Sequence, residues 1–249
     1  MKKYFRAMLM SFTMFCAIPS PFHKWDEEAR PYMTLFLPLV GAFIGGLWGL
    51  AAFLWRYFGL PVLLGAVLLT ALPILLSGGM HMDGYMDVTD AVRSYRDLEE
   101  RRRILKDPHT GSFATLFAVL LLLSEAGAFA AVRPEAPAFA LVLIPVTSRA
   151  LSGLFVTLLR PMSSSEYAGT YRQGVKKGHI VVFFLWLAAA AALGAVFLGR
   201  YVFVMLGVAV GYLWKLFGAV RSLDGMSGDI AGYALSFGEF TGVLLYALL

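Results

Sequence analysis

Seven long apolar stretches alternate with short polar segments along the chain: about residues 35–57, 60–78, 113–132, 137–159, 180–198, 201–218 and 230–249. Each is about long enough for a helix to cross a hydrocarbon core of roughly 30 Å. Backbone groups in lipid must be paired within the segment, so each stretch predicts a helix. A further apolar run from Met8 to Ala17 is short for a span and ends at Pro19-Ser20-Pro21. No small-x-small cleavage site follows it, and the pattern predicts a retained helix, interfacial or packed into the bundle. The expected fold is all-α. It is a polytopic membrane helical bundle of about seven transmembrane helices plus that N-terminal helix, in a single integral membrane domain over residues 1–249. In the first stretch Gly41, Gly45 and Gly49 recur every four residues, a spacing that lets helices approach closely.

Composition narrows the picture. The 249 residues are 59% hydrophobic and 15% charged, against about 45–50% and about 25% in soluble domains. Too few polar residues are present to cover a soluble surface. The single cysteine, Cys16, excludes an intrachain disulfide and a cysteine-based metal cluster. Of the 21 Lys and Arg residues, 17 fall in the N-terminal arm, the segments 79–112 and 160–179, and the last connection. Seven spans put those four regions on one side, and the positive-inside rule makes that side cytoplasmic. This bias accounts for the net charge of +5 without a nucleic-acid partner, and no RNA-binding or helix-turn-helix signature is present.

The acids carry the chemistry. Asp83, Asp87 and Asp90 follow the second stretch at i, i+4 and i+7, which on a helix forms one stripe. No Lys or Arg stands among them, so the carboxylates repel one another unless a cation joins them. Oxygen ligands suit Mg²⁺, Mn²⁺ or Ca²⁺ better than zinc, although His81 lies two residues before Asp83. The spacing is not that of an EF-hand loop. Two further segments combine glycine, hydroxyl and acid: Lys106-Asp107-Pro108-His109-Thr110-Gly111-Ser112 and Asp224-Gly225-Met226-Ser227-Gly228-Asp229. Glycine-containing turns let backbone amides approach phosphate. The same residues also read as helix starts, with Thr110 or Ser112 and Ser227 or Asp229 as N-caps. All three segments stand at the same ends of spans and so converge on one site. Glu125, Arg149 and Glu239 fall inside spans, where an ionisable residue marks a functional position. Arg96, Arg101 to Arg103 and Lys106 are candidates for steering anionic substrates, or serve as topology signals alone.

The run Gly79-Met80-His81-Met82-Asp83-Gly84-Tyr85-Met86-Asp87-Val88-Thr89-Asp90 resembles the signature of the cobalamin synthase family, the adenosylcobinamide-GDP ribazoletransferases. Asp107-Pro108-His109-Thr110-Gly111 is similar to the family's second element. Ser227-Gly228-Asp229-Ile230-Ala231-Gly232, with Glu239 beyond it, is similar to the third. Phe36-Leu37-Pro38-Leu39-Val40-Gly41 and the opening Met8-to-Pro21 fit as well. Departures are Ala91 after Asp90, Pro108-His109, Ser236, and the segment from Ser163 to Gly174.

The resemblance implies an enzyme of late vitamin B12 assembly that joins adenosylcobinamide-GDP to α-ribazole or its 5′-phosphate. The products are adenosylcobalamin or its phosphate, and GMP. It implies Mg²⁺ as cofactor and a multi-pass position in a bacterial or archaeal cytoplasmic membrane, with the site facing the cytoplasm. Membrane lipid is a further partner, and self-association into a homo-oligomer is open. Asp83, Asp87, Asp90 and Asp107 are the metal-ligand candidates, and Asp83, Asp90 and His81 the catalytic ones. Gly84, Thr110, Gly111, Arg149, Ser227, Gly228, Asp229 and Glu239 are the substrate-binding candidates. Two other classes fit parts of the pattern. A CDP-alcohol phosphotransferase also places aspartates at the membrane surface, but its D-G-x-x-A-R run is absent. A secondary transporter would use Glu125 and Glu239 for coupling, yet no two-fold hydropathy repeat is seen.

Overall fold

A computed structural model describes residues 2–19, 25–163, 170 and 177–249. Among them ten α-helices form: α1 (Lys2–Phe15), α2 (Leu37–Tyr57), α3 (Val62–Leu76), α4 (Met80–Arg93), α5 (Leu98–Ile104), α6 (Ser112–Ala130), α7 (Ala140–Leu158), α8 (Lys177–Phe197), α9 (Val204–Leu223) and α10 (Gly228–Leu248). Short 3-10 turns over Arg30–Phe36 and Gly199–Phe203 lead into α2 and α9. Among the described residues six helices are long and apolar enough to cross a membrane, and the bent pair α3–α4 raises the number to seven. The protein is a multi-pass membrane bundle. Most of the segment 163–174 lies outside the described residues, as do Arg172 and Lys176 of the basic pattern.

Burial ranks the helices. In α7, 83% of the apolar window is enclosed, whereas in α8 the share is 17%. So α7 is the centre post of the bundle, and α8 turns most of its surface to lipid. The post is held tightly by α2. A Cβ added at Gly45 would stand 2.8 Å from the Cα of Val142, and one at Gly41 would run into the carbonyl of Pro145. The small-residue repeat is therefore the α2–α7 contact, where backbone meets backbone and dispersion replaces side-chain interdigitation.

The second apolar stretch forms α3, which at 15 residues is short for a span. The stretch ends where expected, at Gly78, and Gly78 and Gly79 are both left-handed with φ 66° and 76°, a conformation glycine adopts without steric penalty. The chain bends by 93° there, and α4 leaves in a new direction across α10 and α6. Before the break, Pro73 sits inside α3 and has no N–H to offer the carbonyl of Leu69. The indole Nε1 of Trp48, on α2, donates to that carbonyl at 2.8 Å.

At the N-terminal end, α1 buries Ala7, Met10, Ser11 and Phe15 against the turn before α2 and against α2 itself. The expected packed helix is present, and it covers one flank of the site.

Candidate active site

The site is built where α4 crosses the start of α10. Ser227 caps α10, its side chain accepting the N–H of Ile230 at 3.2 Å, which sets Asp229 in the first turn. The crossing is close because both helices carry glycine there. A Cβ at Gly84 would lie 2.8 Å from the carbonyl oxygen of Asp229, and one at Gly232 would lie 3.1 Å from that of His81. Ser236 adds a hydrogen bond to the His81 carbonyl at 3.1 Å. This contact brings Asp229 up to the aspartate stripe. Asp83, Asp229 and Asp90 all act electrostatically on Asp87, and Asp83 acts on Asp229. Among the described residues no Lys or Arg is ion-paired with Asp83, Asp87 or Asp229.

Asp90, the last member of the stripe, is engaged differently. Its Oδ2 accepts the N–H of Gly111 at 2.6 Å and its Oδ1 the N–H of Ala114 at 2.9 Å. These are free amides at the N-terminus of α6, so α4 caps α6 across space. The N-cap position is Gly111, not Thr110 or Ser112, and a Cβ at Gly111 would strike the Asp90 carboxylate. Asp107 stays in its own loop. It accepts the His109 amide at 3.0 Å and meets His109 Nδ1 at 2.7 Å, contacts that hold its carboxyl below the usual carboxylate range. Neither Asp107 nor the exposed Thr110 lines the cavity described next.

A cavity of about 400 Å³ opens beside the crossing, within the about 300–1,000 Å³ typical of small-ligand sites. His81, Asp83, Lys106, Arg149, Ser152, Ser227, Gly228 and Asp229 supply its polar wall. Met14 and Phe15 of α1, with Leu37, Leu105, Val156, Met162 and Leu235, supply the apolar one. Arg149 is 1% exposed and its Nη1 donates to Glu239 Oε1 at 2.6 Å; Ser148 Oγ donates to the same oxygen at 2.7 Å. Arg149 Nε and His81 Nε2 are buried with no hydrogen-bond partner among the described residues. Glu125 lies across a second, 30 Å³ cavity from Glu239 and His81.

The arginines of α5 are occupied elsewhere. Arg102 donates to the carbonyls of Leu223 and Asp224 at 3.1 and 3.0 Å, and Arg103 pairs with Glu100 at 2.6 Å. They brace α5 and tie it to the end of α9, and of the basic residues in that segment Lys106 alone lines the cavity.

The sequence profile of the family described as cobalamin-5-phosphate synthase matches residues 7–248. The chain belongs to the cobalamin-5-phosphate synthase family. Similar proteins are the adenosylcobinamide-GDP ribazoletransferases of Clostridium perfringens (strain 13 / Type A), 35% identical over the full length of both chains, and of Pseudomonas fluorescens (strain Pf0-1), 37% identical over 86% of this chain and 87% of that one. The one from Geobacillus thermodenitrificans (strain NG80-2) is 30% identical over 96% of this chain and 94% of its own. No solved structure matches the chain.

For this member of the cobalamin-5-phosphate synthase family, the fold places His81, Asp83, Arg149, Ser227, Gly228 and Asp229 on one cavity, with Gly84 against the Asp229 backbone and Asp87 within electrostatic reach but not on the cavity wall. It does not bring Asp107 or Thr110 to that cavity. Among the described residues no three His, Cys, Asp or Glu side chains converge at metal-binding distance. The donor chemistry nevertheless suits a hard cation: Asp83, Asp87 and Asp229 are within electrostatic reach of one another, and among the described residues no basic side chain is ion-paired with them. The part of the site that sequence reasoning missed is the apolar wall from α1. The helical spacing of Ala7, Met10, Ser11 and Phe15 was the available signal.

Proposed function

We propose that the protein is an adenosylcobinamide-GDP ribazoletransferase that joins α-ribazole, or its 5′-phosphate, to the cobinamide phosphate of adenosylcobinamide-GDP and releases GMP. The observation that carries this reading is the convergence of Asp83 and Asp229, from two separate motifs of the family, on one cavity, with Asp87 within electrostatic reach of both. The new bond joins a ribose hydroxyl oxygen of the ribazole, one that is free whether or not the 5′ oxygen carries phosphate, to the phosphorus next to cobinamide. The bond that breaks is the bridging P–O bond to GMP, and a hydroxyl nucleophile gives up its proton.

Asp83 and Asp87 are the residues that would hold Mg²⁺; when bound, Mg²⁺ screens the pyrophosphate charge and stabilises the departing GMP. Asp229 lines the cavity with Asp83 and takes the hydroxyl proton. Asp90 keeps the Gly111 turn against α4 and leaves proton transfer to Asp229. His81 Nε2 and Arg149 Nε meet polar atoms of the bound substrate. The cavity receives the smaller substrate. Its apolar wall suits a benzimidazole ring and its polar wall a ribose, while the corrinoid macrocycle, too large for about 400 Å³, stays outside. The basic bias of the connecting segments supports a cytoplasmic-facing site in the cytoplasmic membrane.

The test is direct. The purified protein is incubated with Mg²⁺, adenosylcobinamide-GDP and α-ribazole. One complete corrinoid and one GMP per turnover are expected, with no product in chelator. Absence of product with substrates that a known transferase converts would overturn the reading.

A further inference from the structure

Away from the cavity, α9 presents Leu206, Val210, Trp214 and Phe217 at 58, 59, 68 and 50% exposure. Residues at this spacing share one helix face, and in a bilayer that face meets acyl chains. Lys215 stands at its border. Its Nζ lies 4.3 Å from the ring centre of Phe237, 5.1 Å from Trp214 and 5.4 Å from Tyr233. Arg93, the last residue of α4, lies 4.5 Å over the ring of Phe117, and its charge acts on Lys215. Neither cation is ion-paired with an acid among the described residues. Arg93 Nη1 donates a long hydrogen bond, 3.4 Å, to the Tyr95 hydroxyl.

Two like charges held near each other in partly apolar surroundings repel. Ring faces attract each cation separately but do not cancel that repulsion. A shared anion does. Both side chains are half-buried and so keep part of their surface open to an anion. Guanidinium and ammonium groups are the usual partners of phosphate oxygens. We propose that Arg93 and Lys215 hold the phosphate of an anionic phospholipid whose acyl chains lie along the Leu206–Phe217 face of α9. The arrangement of cations at the headgroup and apolar surface below it distinguishes a lipid from a free nucleotide, which has no use for the exposed stripe.

The experiment uses the full chain in detergent and in phosphatidylcholine nanodiscs, with native mass spectrometry and thermal unfolding as readouts. Phosphatidylglycerol is expected to remain bound at least about 5-fold more than phosphatidylcholine and to raise the unfolding temperature. The double variant Arg93→Gln/Lys215→Met should lose the preference, and Lys215→Arg should keep it. Equal retention of the two lipids by the wild-type protein overturns the proposal whether or not the variants fold. So does equal stabilisation by millimolar inorganic phosphate, which would make this a soluble-phosphate site. A preference that survives in the folded double variant overturns it too, because the cations would then be held by their rings alone.

Discussion

Glu239 meets its counter-charge inside the protein, whereas Asp83, Asp87 and Asp229 meet chiefly one another. The first lies deep between α7 and α10, with one oxygen shared by Arg149 and Ser148. Of the others, Asp83 and Asp229 line the larger cavity and Asp87 lies within electrostatic reach of both, and no basic side chain pairs with them among the described residues. A buried ion pair is retained because either charge alone is expensive. An uncompensated cluster beside a cavity is stable only while water or a ligand screens it. The inner acids thus set the shape of the site, and the outer ones leave charge available for a cation and substrate.

That contrast is broken most severely at the outer acids. Asp83→Asn is expected to reduce transfer to background while the unfolding temperature stays within a degree or two of wild type; wild-type turnover would remove Asp83 from the metal set. The reverse pattern is expected in the interior. Glu239→Leu strands a buried guanidinium and should destabilise the protein by about 3–5 kcal/mol, seen as a large fall in thermal stability in detergent. Arg149→Met combined with Glu239→Leu should recover most of that stability without recovering activity. A double variant as unstable as the single one would mean that the pair contributes little as a pair.

Smaller effects sharpen the same distinction. Gly45→Ala drives a methyl against Val142 and should lower stability by about 1–3 kcal/mol, with kcat falling less than stability does. Asp90→Ala removes the cap of α6 and should lower stability by about 1 kcal/mol, whereas Asp90→Asn keeps one acceptor and should retain part of both stability and turnover. If Asp90→Asn were as inactive as Asp83→Asn, Asp90 would belong with the reacting acids.

Much of this was legible along the chain because apolar runs and charge bias are local signals. The spans, the α2–α7 glycines, the Ser227 cap and the helical stripe of Asp83 and Asp87 needed no knowledge of what lies opposite. The rest depends on partners distant in sequence. The stretch 60–78 ends where the sequence places its end, but nothing local shows that Gly78 and Gly79 turn the chain by 93° and send α4 across α10 and α6. Asp90 has the same spacing as its stripe-mates, and the amides that occupy it come from more than twenty residues away. Asp107 belongs to a motif in the same way as Asp229, yet its short loop turns it onto His109. Arg101 to Arg103 look like an electrostatic funnel, and the end of α9 takes up Arg102. Spacing identifies the residues of one helix face but not which of them a second helix will use.

The hydrogen bond from Trp48 to the Leu69 carbonyl has a consequence for how this chain can diverge. Pro73 creates a bare carbonyl, and the indole repairs it. In lipid such an acceptor has no water to turn to. Positions 48 and 73 are thereby coupled across two helices. A proline at 73 obliges its partner to be a large apolar side chain that also donates, a requirement that tryptophan meets and phenylalanine does not. Once residue 73 carries its own N–H, phenylalanine or leucine becomes acceptable at 48. Across relatives the two sites should change together, with tryptophan lost only in lineages that have first lost the proline.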